Sequence, residues 1–401
     1  MKRSHSEPDL KPARAEWMRR ADLLLIALAV LGLALHSAAE STRQWKPQAH
    51  LQEKLAAATR TLRCFETVRD ARLGAMAVDP ENDPEGTGLI GQEHTLTTTD
   101  RGVLEAKLTS VNPNFAAVFV DYYHQAGLEP GDAVALALTG SFPALNIAAL
   151  AAAEEMKLKP VAITSVGASM WGANDPSFGW LDMERLLRER RLLNVRSVAA
   201  SLGGSNDRGR GLSPKGRSLL REAIVRNEVE LISEPTLEQS ISRRLEIYRK
   251  EAGPGGIRAF VNVGGGSASV GNQQGGDLIA PGVSRKIPVY NWAQRGVLHH
   301  LSRSGVPIVH ILKIEQIARE HGLPYAPERI PPVGEGDIFY REAYDLRIVI
   351  PSLVIYLALC FGVLRARQKA AKSAREVPDP VLAVDPVLRA SERPVGERSG
   401  G

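Results

Sequence analysis

Two uninterrupted apolar runs near the ends of the chain constrain its fold more than any other feature. The first lies in residues 21–39 and contains thirteen consecutive apolar residues from Leu23 to Leu35. The second covers residues 348–364, seventeen residues without a charged side chain. A helix needs about 17–25 residues to cross the hydrocarbon core of a bilayer. We therefore predict that both runs form transmembrane helices in the cell membrane, with a separate domain between them.

The charges beside the two runs predict their orientation. Lys and Arg residues crowd segment 1–20 before the first run and the beginning of segment 365–401 after the second. Because basic segments stay in the cytoplasm, we predict that both termini are cytoplasmic and that the intervening domain is extracytoplasmic. Two alternatives stay open. Either run would also suit a buried core helix, and small residues after the first run would suit signal-peptide cleavage.

The basic balance of the whole chain does not indicate a nucleic-acid partner. The formal net charge is +5, yet residues 41–347 contain 36 Lys and Arg against 35 Asp and Glu. The excess therefore lies mainly in the membrane flanks. The chain has two cysteines, and Cys360 lies in the second apolar run. Cys64 is thus expected to be a buried free thiol, with an intermolecular disulfide as the alternative.

Between the apolar runs, a single helix is followed by an alternation of helices and strands. Residues 40–94 contain apolar residues at helical spacing and then a loop rich in Pro, Gly and Asp. We interpret the helix as a stalk that packs on the domain or on a partner. From 95 to 346, short apolar strands alternate with longer helices, as is typical of a parallel sheet covered on both faces. We predict a doubly wound, mainly parallel α/β domain of at least five strands. The Pro-rich tail in 365–401 is predicted to be disordered.

Capping residues predict where individual helices begin. Asn112 and Ser213 each precede a proline, which suits the N-cap and first helical position. Asp182 is predicted to cap the helix that follows it.

Four loops after predicted strands contain side chains suited to a ligand. They read "TGSFPALN", "SVGASMWGANDP", "SLGGSNDRGRGLSPKGR" and "VNVGGGSASVG". In an open parallel sheet, ligands bind beyond the carboxyl ends of the strands. The candidate ligand-binding residues are Ser141, Asn146, Ser169, Trp171, Asn174, Asp175, Asp207, Arg208, Arg210, Gly264, Gly265, Gly266 and Ser267.

Each of these candidate residues also has a purely structural interpretation. Ser141 either caps the following helix or lies where free amides hold an anion. Trp171 either packs as an anchor or stacks on a ligand. Asp207 could orient a metal or a base, and Arg208 and Arg210 could bind carboxylates, unless their loop is simply solvated.

The glycine-rich fourth loop does not indicate a nucleotide. Gly264 and Gly266 match a dinucleotide fingerprint, but Ser269 occupies the third glycine position, and no acidic residue follows between Leu278 and Ile314. We therefore predict no cofactor. The loop either holds a carboxylate on its amides or is a tight turn that needs glycine.

Neither a metal site nor a catalytic mechanism follows from residue spacing. His299 and His300 are adjacent on a predicted helix and point in different directions, and no other pair has metal-ligand spacing. The sequence around Ser169 lacks the spacing of a nucleophile elbow. We therefore predict no metal site and assign no catalytic residues.

Four segments, taken in order, resemble a known family. They are "GLIGQEHTLTTTDRGVLEAKLTSVNPNFAA", "LTGSFPALN", "GASMWGAND" and "VNVGGGSAS". The set is similar to the poly-gamma-glutamate system protein family, from about residue 51 to 346 together with the flanking anchors. The resemblance implies an accessory membrane protein of poly-γ-glutamate biosynthesis, whose partners are the poly-γ-glutamate ligase and its small membrane partner. It implies no catalytic residues.

Three functions follow as hypotheses. The first is a non-enzymatic component of poly-γ-glutamate synthesis or export, whose outer domain binds the acidic polymer through arginines near residues 185–217. The second is an extracytoplasmic hydrolase or transferase acting on γ-glutamyl amide bonds through Ser141, Ser169, Asp207 and Ser267. The third is an assembly scaffold that holds the ligase at the membrane.

Overall fold

The computed structural model describes residues 11–73, 79–271, 273–287 and 295–375. The helices are α1 (Lys11–Ser41), α2 (Leu51–Leu73), α3 (Leu104–Ser110), α4 (Phe115–Ala126), α5 (Pro143–Glu155), α6 (Trp180–Glu189), α7 (Pro214–Arg226), α8 (Leu237–Ala252), α9 (Ser267–Val270), α10 (Gln273–Leu278), α11 (Val297–Arg303), α12 (Ile314–Glu320) and α13 (Leu346–Arg375). The strands are β1 (Gln44–Pro47), β2 (Thr98–Asp100), β3 (Ala133–Thr139), β4 (Lys159–Ser165), β5 (Ala168–Ser169), β6 (Ala199–Ser201), β7 (Glu230–Leu231), β8 (Ile257–Val263), β9 (Gly282–Ser284), β10 (Ile308–Ile311) and β11 (Tyr340–Ala343).

The chain forms two compact units, and the one built from its two ends contains α1 and α13. Both helices are long and apolar enough to span a membrane, over Asp22–Ser41 and Leu346–Lys369. They pack on each other, and a Cβ at Gly32 would lie 2.9 Å from the Tyr356 hydroxyl. A small residue thus permits close approach, as is common between membrane helices.

Both helices extend beyond the predicted apolar runs. α1 begins at Lys11, within the predicted basic head, and α13 continues to Arg375, so residues 365–375 of the predicted disordered tail are helical. Segments 1–10 and 376–401 lie outside the described residues.

A seven-stranded sheet forms the centre of the second unit, Lys46–Arg341, which we call the α/β domain. Its strand order is β7-β6-β4-β3-β8-β10-β9. Neighbouring strands are parallel except β9, which is antiparallel to β10. The chain runs outward from β3 to β7 and then continues on the other side of β3 with β8. The switch point therefore lies between β3 and β8. The predicted mainly parallel α/β class is confirmed.

Apolar side chains of the central strands enter two cores. In β3, Val134, Leu136 and Leu138 join the larger cluster with α2, α4 and α5. Ala135 and Ala137 join the second cluster with α8 and α11. Because successive strand residues point to opposite faces, this partition shows that helices cover both sides of the sheet.

Helix α2 packs on the α/β domain, which is the first of the two alternatives predicted for it, and it belongs to that compact unit. It packs against α4 and α5, and Cys64, Phe65 and Val68 are buried there. The compact unit therefore begins at Lys46 instead of residue 95. Burial raises the pKa of the Cys64 thiol to about 12, so the folded protein retains an unreactive free thiol.

Two predicted helix starts are shifted, and one is confirmed. The N-cap of α4 is Asn114, and Asn112 Oδ1 instead accepts the Asn114 N–H at 3.0 Å. Asp182 lies inside the first turn of α6, where it accepts the N–H of the N-cap Gly179 at 2.9 Å. Ser213 caps α7 as predicted.

Candidate functional site

The four predicted loops lie together at the carboxyl edge of the sheet. They follow β3, β4, β6 and β8, and we call them the carboxyl-edge loops: residues 139–146, 165–176, 201–217 and 261–271. The first two are joined because the Ser169 N–H donates to Ser141 Oγ at 3.0 Å. The last two are joined because Ser267 Oγ donates to the Gly204 carbonyl at 2.7 Å. The edge spans the switch point, where a doubly wound sheet binds ligands.

Within the fourth loop, the glycines have different roles. Gly264 has a φ of +89°, and a Cβ there would lie 2.7 Å from Thr139 Oγ1, so the turn needs glycine. A Cβ at Gly266 would lie 3.3 Å from Thr139 Cγ2. At the exposed Gly265 a Cβ would meet no atom within 4 Å. In the described part of the chain, the N–H groups of Gly265 and Gly266 have no protein acceptor. These two amides can therefore face an anionic group.

Asp207 is buried in an ion pair and does not face the open edge. Arg244 Nη2 lies 3.0 Å from Asp207 Oδ2, and both side chains are almost fully buried. Ser201 Oγ donates to Oδ1 and Ser240 Oγ donates to Oδ2, each at 2.6 Å. Both carboxylate oxygens are thus occupied, which favours a structural role for Asp207 over one that orients a metal or a base. It fixes the loop, with the backbone in the left-handed region at φ +59°.

Residues 185–217, the range considered for polymer binding, contain nine cations, and two of them are paired with a carboxylate. Arg185 pairs with Asp182 at 3.8 Å, and Arg196 pairs with Glu228 at 3.9 Å. The other seven have no carboxylate partner within 4.0 Å among the described residues, and they include all four cations of the third loop: Arg208, Arg210, Lys215 and Arg217. The guanidinium groups of Arg208 and Arg217 donate to backbone carbonyls instead, and these bonds leave their charge uncompensated.

Four of the remaining candidates support the loops instead of facing a ligand. Asn146 is fully buried and donates to the carbonyl that ends β3 at 2.8 Å. Asn174 donates to a backbone carbonyl in the loop before β2 at 2.6 Å. Asp175 accepts the N–H and hydroxyl of Ser177. Trp171 packs against the larger core, which favours its interpretation as an anchor.

The side chain that sequence reasoning missed is Lys107 on α3. Its Nζ lies 2.8 Å from Ser169 Oγ, also donates to the Ser141 carbonyl, and sits 3.9 Å from the Phe142 ring centroid. The Lys107 side chain is 2% exposed, and no described carboxylate lies within 4.0 Å of it. Burial without a counter-charge lowers the pKa of Lys107 to about 7.

This arrangement has the geometry of a serine nucleophile beside a general base. A lysine with a pKa near 7 is substantially neutral at physiological pH and can accept the Ser169 hydroxyl proton across a 2.8 Å contact. Ser141 does not cap α5, whose N-cap is Phe142. Its Oγ instead accepts the Ser169 N–H and positions the possible nucleophile.

No family model matches the chain, and neither curated proteins nor solved structures show a significant similarity to it. The resemblance to poly-gamma-glutamate system proteins therefore depends on the four sequence segments alone.

Proposed function

We propose that this protein is a membrane-anchored component of poly-γ-glutamate synthesis or export, and that its α/β domain binds the acidic polymer outside the cell. The four resembling segments and the basic flanks of the two candidate membrane helices support this assignment. The poly-γ-glutamate ligase and its small membrane partner would be its protein partners.

The uncompensated cations of the third carboxyl-edge loop carry the polymer-binding proposal. Poly-γ-glutamate presents one carboxylate per residue, and guanidinium groups match carboxylates in charge and geometry. Arg208 and Arg210 lie on the same edge as the free amides of Gly265 and Gly266. Because the domain is nearly neutral as a whole, binding must come from this local patch and should weaken with added salt.

Polymer binding can be measured with the full-length protein in detergent micelles and fluorescently labelled poly-γ-glutamate. We expect the double variant Arg208→Gln, Arg210→Gln to bind roughly tenfold more weakly at low salt, since each exposed ion pair contributes up to about 1 kcal/mol. Arg258→Gln is the matched control, because Arg258 is exposed at the opposite, amino end of β8. Equal binding by the double variant and the control would contradict the proposal.

A second candidate function is cleavage or transfer of γ-glutamyl amide bonds, which the contact between Lys107 and Ser169 favours. Ser169 Oγ would attack the amide carbonyl carbon while neutral Lys107 takes the hydroxyl proton. Lys107 would then pass that proton to the departing amine, leaving an acyl group on Ser169. Water would release the chain by hydrolysis, and an amine would release it by transfer.

Chain length distinguishes the two functions. After incubation of the polymer with the full-length protein, hydrolysis would shorten the chains on gel filtration. Ser169→Ala and Lys107→Met should abolish shortening, and Ser218→Ala on the exposed part of α7 should not. The wild-type rate should rise as the pH increases through about 7, where Lys107 loses its proton. Unchanged chain length, or shortening by Ser169→Ala, would exclude this mechanism.

A further inference from the structure

A cluster of two histidines and one glutamate lies where the beginning of α2 meets the end of α4. His50 directly precedes α2, Glu53 is in its first turn, and His124 is in the last turn of α4. Glu53 Oε2 lies 2.6 Å from His124 Nε2 and 3.7 Å from His50 Nδ1. Because α4 leads into the amino end of β3, the cluster is separate from the carboxyl-edge loops.

We propose that His50, Glu53 and His124 bind one divalent transition-metal ion, with zinc as the best match to this ligand set. One ligand atom from each side chain lies within 4.8 Å of the other two. Zinc–nitrogen and zinc–oxygen bonds are about 2.0–2.2 Å long, so these three side chains are close enough to reach one ion once the His50 ring turns toward it. Three protein ligands leave a fourth position for water or for a group supplied by a partner.

The charge around the cluster favours a cation. Lys54, one residue after Glu53, is 3.2 Å from Asp121 and is therefore neutralised by it. In the described ranges, no Lys or Arg lies within 4.0 Å of the Glu53 carboxylate, and its partners are the two histidines. An imidazole–carboxylate set without a competing ammonium or guanidinium group suits a zinc ion.

Metal binding requires His50 to rotate. The imidazole rings of His50 and His124 are stacked, with centroids 3.5 Å apart and planes inclined by 14°. The nitrogen lone pairs of an imidazole lie in the plane of its ring. Because the two ring planes are nearly parallel, their lone pairs cannot point at the same ion until one ring turns. The His50 side chain is 41% exposed and free to turn, whereas His124 is 26% exposed and held by Glu53.

The backbone of His50 gives an independent reason to expect a special role. Its φ is +59°, in the left-handed region that residues other than glycine seldom adopt. Such strain persists where the surroundings or a function require it. Here it places the His50 ring against His124 at the point where the chain enters α2.

The test uses the full-length protein purified without a histidine tag, treated with a chelator and titrated with zinc chloride by calorimetry. We expect one zinc ion per chain, and at least tenfold weaker binding by Glu53→Gln and by His124→Gln. His94→Gln is the matched control, because exposed His94 lies 3.7 Å from Glu93 without a third ligand. It should bind zinc as the wild type does.

Cobalt(II) gives a second measurement that does not depend on stability. Visible absorption from a cobalt ion with imidazole and carboxylate ligands should appear in the wild type and in His94→Gln, and should be lost in His50→Ala, whose side chain is 41% exposed. Failure of zinc to saturate one site, or unchanged zinc and cobalt binding in the cluster variants, would overturn the proposal.

Discussion

Arg244 and Asp207 form an ion pair that is sealed inside the α/β domain. Arg244 Nη2 lies 3.0 Å from Asp207 Oδ2, and the two side chains are 2% and 1% exposed. Arg244 also donates to Ser201 Oγ at 2.7 Å and to Ser165 Oγ at 3.0 Å. The guanidinium group of α8 thereby connects the carboxyl ends of β4 and β6 beneath the proposed polymer-binding edge.

Removing one partner of this pair should destabilise the protein strongly. Arg244→Met leaves the Asp207 charge buried without compensation, and we expect a loss of about 3–5 kcal/mol in the free energy of unfolding. Arg243→Met is the neighbouring control, since Arg243 is exposed and water screens its pair with Glu230, so the loss should be much smaller. Denaturant unfolding followed by tryptophan fluorescence measures both. Equal losses would show that the buried pair is not essential.

The glycine-rich loop offers a comparison between adjacent residues. Gly264→Ala forces a Cβ to within 2.7 Å of Thr139 Oγ1 at a φ of +89°, and we expect a loss of about 1–3 kcal/mol. Gly265→Ala meets no neighbouring atom and should change stability by less than about 0.5 kcal/mol. Thermal unfolding of the two variants checks this. A large loss of stability in Gly265→Ala would contradict the conclusion that Gly264 is the position at which this turn requires glycine.

Lys107 should make stability depend on pH between about 7 and 10.5. The unfolded lysine keeps its proton up to its ordinary pKa of 10.5, whereas burial lowers the folded pKa to about 7. Within this window the unfolded chain binds more protons, so wild-type stability should rise with pH relative to Lys107→Met, by up to about 1.4 kcal/mol per pH unit. Unfolding free energies at pH 7 and 9.5 test the sign. A difference between wild type and Lys107→Met that does not change between the two pH values would contradict this prediction.

Glu184 should make stability depend on pH in the opposite direction, and at lower pH than Lys107 does. Burial raises the pKa of its carboxyl group from 4.5 to about 7, against the hydrogen bonds from Ser197. Between these values the folded state holds a proton that the unfolded chain lacks, so stability falls as the pH rises from about 4.5 to 7. Glu184→Gln retains an acceptor for Ser197 and should therefore gain stability over the wild type as the pH increases. Chemical denaturation of both proteins at pH 4.5 and 7 measures this, and a stability difference that is the same at both pH values would contradict it.

Features that depend on neighbouring residues can be predicted from the sequence without the fold. The two apolar helices follow from uninterrupted runs, and the alternation of helices and strands follows from local periodicity. The capping of α7 by Ser213 is local in the same sense. The position of the four loops at one edge also follows, because the carboxyl ends of parallel strands share an edge.

Which side chains meet depends instead on how distant parts of the chain fold together. Lys107 and Ser169 are 62 positions apart, and Glu53 and His124 are 71 positions apart. From its residue type and its place in a loop, Asp207 could bind a metal or orient a base. In the fold, Arg244 from α8, 37 positions away, pairs with its carboxylate instead. The order of strands in the sheet brings these groups together, and their burial in a medium that solvates charge poorly changes their pKa values and their partners. Neither effect is present in a local pattern of residues.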